Sequence, residues 1–294
     1  MFQPLSSTFF AKQPQFKFKL RSVFIFIALA FVVWEINILG QIIFPSQKLI
    51  PYFARSVIML ATDLALIYIS FRLLKQNNLP KEALGLSISN KTISDIFWGS
   101  LIGVLGVAII AGLLFMYIPY HFIPGSIGAS QFLKESVFYL LDNSLEELIF
   151  RGFLFIIFSQ LAGWRVSSLI LAFPFGLFHL QGIGLNMDGL KIFTTTACYS
   201  FVFSLSYVLF RSMWASISVH VMSNIFLHTV TGLDGANRAL FKPDFEGSWP
   251  KGNNLSFSIV ILSAIIISGS LLLFIALFDK KHGSIRNWSH KEAR

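Results

Sequence analysis

An all-α, polytopic membrane protein, with about eight transmembrane helices enclosing a polar intramembrane cavity, is predicted by three features of the sequence. Hydrophobic residues fill 55% of the 294 positions and charged residues only 13%, whereas soluble chains are roughly a quarter charged. Mean hydropathy is +0.70. The apolar residues are also gathered into runs of about 20, the length that crosses a bilayer as a helix. These runs lack two-residue alternation, and a helix satisfies its backbone groups within one segment, so strands do not compete in lipid.

The spans fall at residues 22–44, 55–74, 94–118, 134–160, 165–181, 190–210, 213–231 and 256–278. The first follows Lys12, Lys17, Lys19 and Arg21. It is too long for a signal-peptide core and ends without a small-residue cleavage site, so it reads as an uncleaved helix. The fifth to seventh spans are short and closely connected and should pack as tight hairpins, with Pro174 and Gly176 kinking the fifth. Residues 79–90 read as a short surface segment. The loop from Gly232 to Asn254, rich in Gly, Asp, Asn and Lys, shows no fold of its own. The chain divides into a basic N-terminal stretch with two helices (1–79), a central helical core (80–231), and a loop, last helix and basic tail (232–294).

With the N-terminus inside, the inside segments carry Lys12, Lys17, Lys19, Arg21, Arg72, Lys75, Lys81, Lys91, Arg165, Arg211, Lys280, Lys281, Arg286, Lys291 and Arg294. Only Lys48, Arg55, Lys134, Lys191, Arg238, Lys242 and Lys251 face outside. That bias places both termini in the cytoplasm, and the multi-pass chain is expected in the plasma (inner) membrane. The net charge of +9 is therefore an orientation and lipid-headgroup signal, not a nucleic-acid-binding one. The single cysteine, Cys198, excludes an intrachain disulfide and reads as a buried packing residue. The 33 Phe residues suit lipid-facing helices.

Against this background the polar residues of the fourth span stand out: Asp142, Asn143, Glu146, Glu147 and Arg151. A charge at the bilayer centre costs about 2.5–3.5 kcal/mol on insertion scales, and such residues face a bundle interior or wet cavity. Glu147 and Arg151 are four apart with the acid first, the better orientation for a helical ion pair. Glu146 lies about 100° around the helix and is left available for acid–base work. His179 ends Phe175-Gly-Leu-Phe-His179, and His220 and Asn224 share one face of the seventh span. Each motif has a plain structural reading: interfacial charges, a packing histidine, or interhelical hydrogen bonds worth about 0.6 kcal/mol. Together, within one hydrophobic core, they supply a base, imidazoles, hydrogen-bond donors and a counter-ion. Glu35, Asn37 and Asp63 read as helix-packing or interfacial polar residues, and Gly128-Ala-Ser130 as a loop turn.

In order and spacing, Glu146-Glu147-Leu-Ile-Phe-Arg151, Phe175-Gly-Leu-Phe-His179 and His220-Val-Met-Ser-Asn224 resemble the three motifs of the CAAX protease and bacteriocin-processing (CPBP) family, which includes type II CAAX prenyl endopeptidases. Leu84-Gly85-Leu86 and Arg211-Ser-Met-Trp214-Ala extend the likeness, which covers about residues 80–231. The resemblance implies an intramembrane endopeptidase acting on a membrane-associated protein or peptide. Glu146 would activate water with His179, His220 and Asn224 would stabilise the oxyanion, and Glu147 and Arg151 would hold the site, with Phe175 supporting it. A metal-free glutamate mechanism is favoured, because His-Glu-x-x-His is absent and His220 has an Asn partner. The alternative is one divalent ion, zinc, on Glu146, His179 and His220. Two other readings are a non-catalytic scaffold or immunity protein of the same fold, and a proton-coupled transporter using Glu146, Glu147 and His179.

Overall fold

A computed structural model describes residues 13–44, 49–181, 183–235, 238–245 and 254–281. The fold is that of an all-α polytopic membrane protein. Helix α1 (Leu20–Ile43) pairs with α2 (Leu49–Gln76), and α3 (Asn90–Tyr117) follows a single 3-10 turn at Lys81–Leu84. Helix α4 (Ala129–Glu147) runs through a π-helical turn (Leu148–Phe153) into α5 (Leu154–Ala162). Then come α6 (Trp164–Phe178), α7 (Met187–Phe210) and α8 (Met213–Asn224), the last prolonged by a second π-helical turn (Ile225–Val230). Helix α9 (Asn254–Lys281) packs on α7 and α3.

Among the described residues, five helices are long and apolar enough to cross a membrane: α1, α2 from Pro51, α3, α7 and, over Phe257–Leu277, α9. Their outward faces carry exposed Phe24, Phe31, Ile93, Phe97, Ile265 and Leu273. In water such patches would drive aggregation, so they read as the lipid-facing surface. The remaining helices are shorter or more polar, and α6 (Trp164–Phe178) also exposes Leu169, Ile170 and Phe173. Phe153, Phe155, Phe175, Tyr207 and Met213 are buried at the centre of the bundle.

Several local features explain how the chain turns between helices. Ser89 and Thr92 form a reciprocal capping box that starts α3. At the far end of α7, Arg211 takes the left-handed conformation (φ 51°), and the chain re-enters as α8 two residues later. The Lys91 ammonium bonds the carbonyl of Phe210 and pairs with Asp95 at 3.2 Å, satisfying an orphan carbonyl of the α7 terminus. Helix α8 lies close against α3 because Gly99 and Gly103 leave no side chain between them. A Cβ at either would stand 2.5 Å from a carbonyl oxygen of α8, that of Ala215 or Val219.

The structure differs from expectation in several details. Strands do occur: Tyr120–Pro124 (β1) pairs antiparallel with Phe241–Phe245 (β2). This short sheet follows the end of α3, and the Tyr120 hydroxyl reaches back to the Ala111 carbonyl at 2.9 Å. The 232–254 loop thus has structure in its described part, with Leu233 and Ala239 buried. Residues 79–90 are not simply a surface segment. Leu79, Ala83 and Leu84 are buried, and Gly85 (φ 70°) offers its carbonyl to the Met213 amide at 3.0 Å. Gly128-Ala-Ser130 starts α4, with Gly128 at its N-cap position and Ser130 exposed. Pro174 sits inside α6, which runs unbroken from Trp164 to Phe178. Gly176 there brings α6 against α7, since a Cβ would lie 2.7 Å from the Phe193 carbonyl oxygen. Cys198 is half-buried rather than buried and packs at the edge of the core.

Candidate active site

The site forms where the end of α4, the end of α6 and the middle of α8 converge. Its most buried part is an ion pair. Arg151, fully buried, places Nη1 3.3 Å from Glu147 Oε1, four residues earlier. The same guanidinium donates to the Ser200 carbonyl at 2.8 Å and to the Ser200 hydroxyl. It also lies 4.5 Å from the centre of the Phe175 ring and 5.3 Å from that of Phe203, so the cation is neutralised and sandwiched between aromatic faces. Glu147 gathers three partners on its two oxygens. Beyond Arg151 it accepts from the Ser216 hydroxyl at 2.6 Å on Oε2 and faces His220 Nδ1 at 3.0 Å on Oε1.

These contacts fix the tautomer of each neutral imidazole. An ionised Glu147 only accepts, so His220 Nδ1 carries the hydrogen. His179 Nδ1 lies 2.9 Å from the Phe175 carbonyl, which likewise only accepts. In the neutral form both rings therefore present the Nε2 lone pair, and both point at one carboxylate. Glu146 Oε2 is 3.6 Å from His179 Nε2 and 3.9 Å from His220 Nε2. This oxygen is buried and makes no hydrogen bond within the protein. His220 is further held by stacking on Phe203, centroids 4.2 Å apart and 20° between planes. Asn224 donates to Asn143 Oδ1 at 3.1 Å and keeps its second N–H.

All six motif residues thus share one region, joined directly or through Phe175, Phe203 and Asn143. Glu147 turns to Arg151 and Ser216 and Glu146 to His179, while both approach His220 from opposite ring nitrogens. Ser200, Ser216 and Phe203 were missed as members of the site. Ser216 is one helical turn before His220, a signal that spacing alone could have supplied. Ser200 and Phe203 are assembled by helix packing and carry no local mark. Asn37 and Asp63 are buried, and Asn37 reaches Asp142 at 3.4 Å, so these helices continue the polar region beyond the motifs. Glu35 is half-buried.

Two π-helical turns adjoin the site, one directly after Glu147 and one directly after Asn224. Gly152 leaves helical geometry altogether (φ −74°, ψ −126°). Such wide turns re-aim side chains and recur at functional sites.

The site opens into a cavity of about 870 Å³ between α3, α7, α8 and α9. His179, His220 and Asn224 lie at its inner end; Val107, Ile110, Leu114 and Ile259 are among its apolar walls. Its other end reaches Asp188, Lys191, His228 and Asp234. The cavity therefore combines a polar floor with largely apolar sides.

The donor set bears on whether a divalent ion could be held here. Two imidazoles oriented through their second nitrogen are typical metal ligands. Tetrahedral zinc ligands at 2.0–2.1 Å would sit about 3.4 Å apart, closer than the 3.6 and 3.9 Å separations here. Among the described residues no group of three or more His, Cys, Asp or Glu is placed to hold a metal.

None of the curated proteins compared with the chain matches it. Residues 129–226, a third of the chain and the stretch that contains all six motif residues, do match a family model, that of the type II CAAX prenyl endopeptidase Rce1-like family. The segment that builds this site is thus similar to the CAAX prenyl endopeptidases, in a chain whose long apolar helices make it an integral membrane protein.

Proposed function

We propose that the chain is an intramembrane endopeptidase in which Glu146 activates water to hydrolyse a peptide bond of a membrane-associated protein or peptide. The observation that carries this reading is the buried Glu146 Oε2, which makes no hydrogen bond within the protein and faces the Nε2 atoms of His179 and His220. Separations of 3.6 and 3.9 Å suit groups that share a water rather than bond each other.

A water held there gives one proton to the Glu146 carboxylate while its oxygen attacks the scissile carbonyl carbon. His179, with its lone pair on Nε2, accepts the water's second hydrogen bond and orients it. The tetrahedral oxyanion receives the free N–H of Asn224. His220 adds a second donor when its Nε2 also carries a proton, taken up from the medium before substrate binds, with Glu147 at 3.0 Å offsetting the added charge. Glu146 then returns its proton to the leaving nitrogen as the C–N bond breaks, giving a carboxylic acid and an amine, and the water's second proton passes from the acid to the amine to leave a carboxylate and an ammonium. Glu147 and Arg151 take no part in proton transfer; they hold His220 in one tautomer and orientation.

The test compares protein termini in membranes from cells expressing wild type or Glu146→Gln. Termini that vanish in a stably inserted variant identify substrates. Indistinguishable termini, with the cellular effect of the protein preserved, would favour a non-catalytic scaffold.

A further inference from the structure

We propose that this site is entered from the extracytoplasmic side of the membrane, so that its substrates are exported peptides or outward-facing segments of membrane proteins rather than cytosolic C-termini. The proposal rests on the endopeptidase reading for its substrate. Its geometry is independent of that reading.

Hydrogen bonds between chain segments define two opposite ends of the bundle. At one end the Lys17 and Lys19 amides bond Asn77, the Gln13 amide bonds the Gln160 side chain, the Met213 amide bonds the Gly85 carbonyl, and Lys91 bonds Phe210. The starts of α1, α3, α6 and α8 and the ends of α2, α5 and α7 therefore lie together. At the other end β1 pairs β2, the Tyr52 hydroxyl bonds the Lys134 carbonyl, the Leu240 amide bonds the Thr229 carbonyl, and His228 faces Asp234 at 2.7 Å.

Charge distinguishes these ends. The first carries Lys17, Lys19, Arg21, Arg72, Lys75, Lys81, Lys91, Arg165 and Arg211, with Glu82 and Asp95 as its acids. The second carries Arg55, Lys134, Lys191, Arg238 and Lys242, offset by Glu135, Asp188, Asp234 and Asp244. The strongly basic end is the cytoplasmic one.

The cavity leads to the other. Its lining residues nearest the surface, Asp188, Lys191, His228, Asp234 and Gly235, all belong to the second end. None of its described lining comes from the basic end. Between the site and the basic end lies a sealed layer: Leu84, Phe153, Phe155, Tyr207 and Met213 are fully buried, and the Tyr207 hydroxyl bonds the Ala83 carbonyl at 2.6 Å. Gly85 closes this layer, since a Cβ there would stand 2.8 Å from the Met213 nitrogen. A peptide reaching Glu146 from the cytoplasm would have to break this packing. From the opposite side it meets a formed, apolar-walled passage with a charged mouth.

Cysteine accessibility tests this without a known substrate. In a Cys198→Ser background, single cysteines are placed at the mouth (Asp188→Cys), in the cavity wall (Thr196→Cys) and on the basic end (Glu82→Cys). Intact cells are treated with a membrane-impermeant thiol reagent, and labelling after detergent denaturation measures total protein. Expected is labelling of Asp188→Cys and Thr196→Cys in intact cells, and loss of Glu82→Cys labelling unless the membrane is first permeabilised. Labelling of Glu82→Cys in intact cells, with the mouth protected until permeabilisation, would overturn the proposal and turn the site toward the cytosol. Labelling of the mouth with the wall protected from both sides would overturn the open passage. If termini prove independent of Glu146 while the labelling pattern holds, the endopeptidase reading fails and the orientation stands.

Discussion

Removing one partner of the Glu147–Arg151 pair should destabilise the protein unequally, and the inequality can be worked from the contacts. In Glu147→Gln, Arg151 keeps Ser200 and two aromatic faces but loses its only close carboxylate at 3.3 Å. Arginine does not deprotonate in proteins, so a full charge stays in the core. Breaking a buried pair this way costs about 3–5 kcal/mol, and we expect the upper part of that range. In Arg151→Met, Glu147 retains Ser216 at 2.6 Å and His220 at 3.0 Å, and a carboxyl group can shed its charge by taking a proton. The loss should be smaller, about 2–3 kcal/mol. The double variant, with both charges gone, should recover at least about 2 kcal/mol of the summed losses, because the two residues act as one unit. Thermal unfolding in detergent reads this directly: at roughly 2–4 °C per kcal/mol, Glu147→Gln should lower the midpoint by about 10 °C. Equal, additive losses from the two single variants would refute the argument, as would a Glu147→Gln midpoint within about 2 °C of wild type.

Three further outcomes are expected. Gly103→Ala should cost about 1–3 kcal/mol by forcing α3 away from α8, whereas Gly112→Ala, with nothing within 4 Å, should leave the unfolding midpoint unchanged or raise it. Asn224→Ala should lower kcat by about 10²–10³ while KM changes little, as befits a donor acting on the transition state. Peptide cleavage should survive dialysis against a strong chelator without loss of rate, measured beside a zinc protease that the same treatment inactivates; abolition by the chelator and restoration by added zinc would sink the metal-free mechanism.

Much of this molecule was legible in the sequence because lipid imposes a simple rule. Long apolar runs must be helices, and a charge within them needs a partner. Glu147 and Arg151 were readable as a pair from four-residue spacing, and Glu146 as its differently directed neighbour. What stayed hidden depends on packing between distant segments. Nothing near Ser200 marks it as a ligand of Arg151, for that contact arises only when α7 passes behind the π-helical turn. The strand at Phe241–Phe245 is defined by its partner 120 residues away, and its short, mixed composition carries no periodic signal. The 3-10 turn before Gly85 looked polar enough for the surface, yet Leu84 and Ala83 turn inward to seal the bundle. The π-helical turns after Glu147 and Asn224 leave no mark in hydropathy at all.

The most direct test of the central claim uses a peptide spanning a Glu146-dependent terminus, reconstituted with purified protein in lipid vesicles and incubated in ¹⁸O-labelled water. Glu146 offers an oxygen that makes no hydrogen bond within the protein, so Glu146→Gln should fold like wild type, checked by its unfolding midpoint. The account predicts one labelled oxygen in the new C-terminal carboxylate with wild type, and a rate lower by about 10²–10⁴ in the variant. Cleavage by a folded Glu146→Gln protein at the wild-type rate would contradict it.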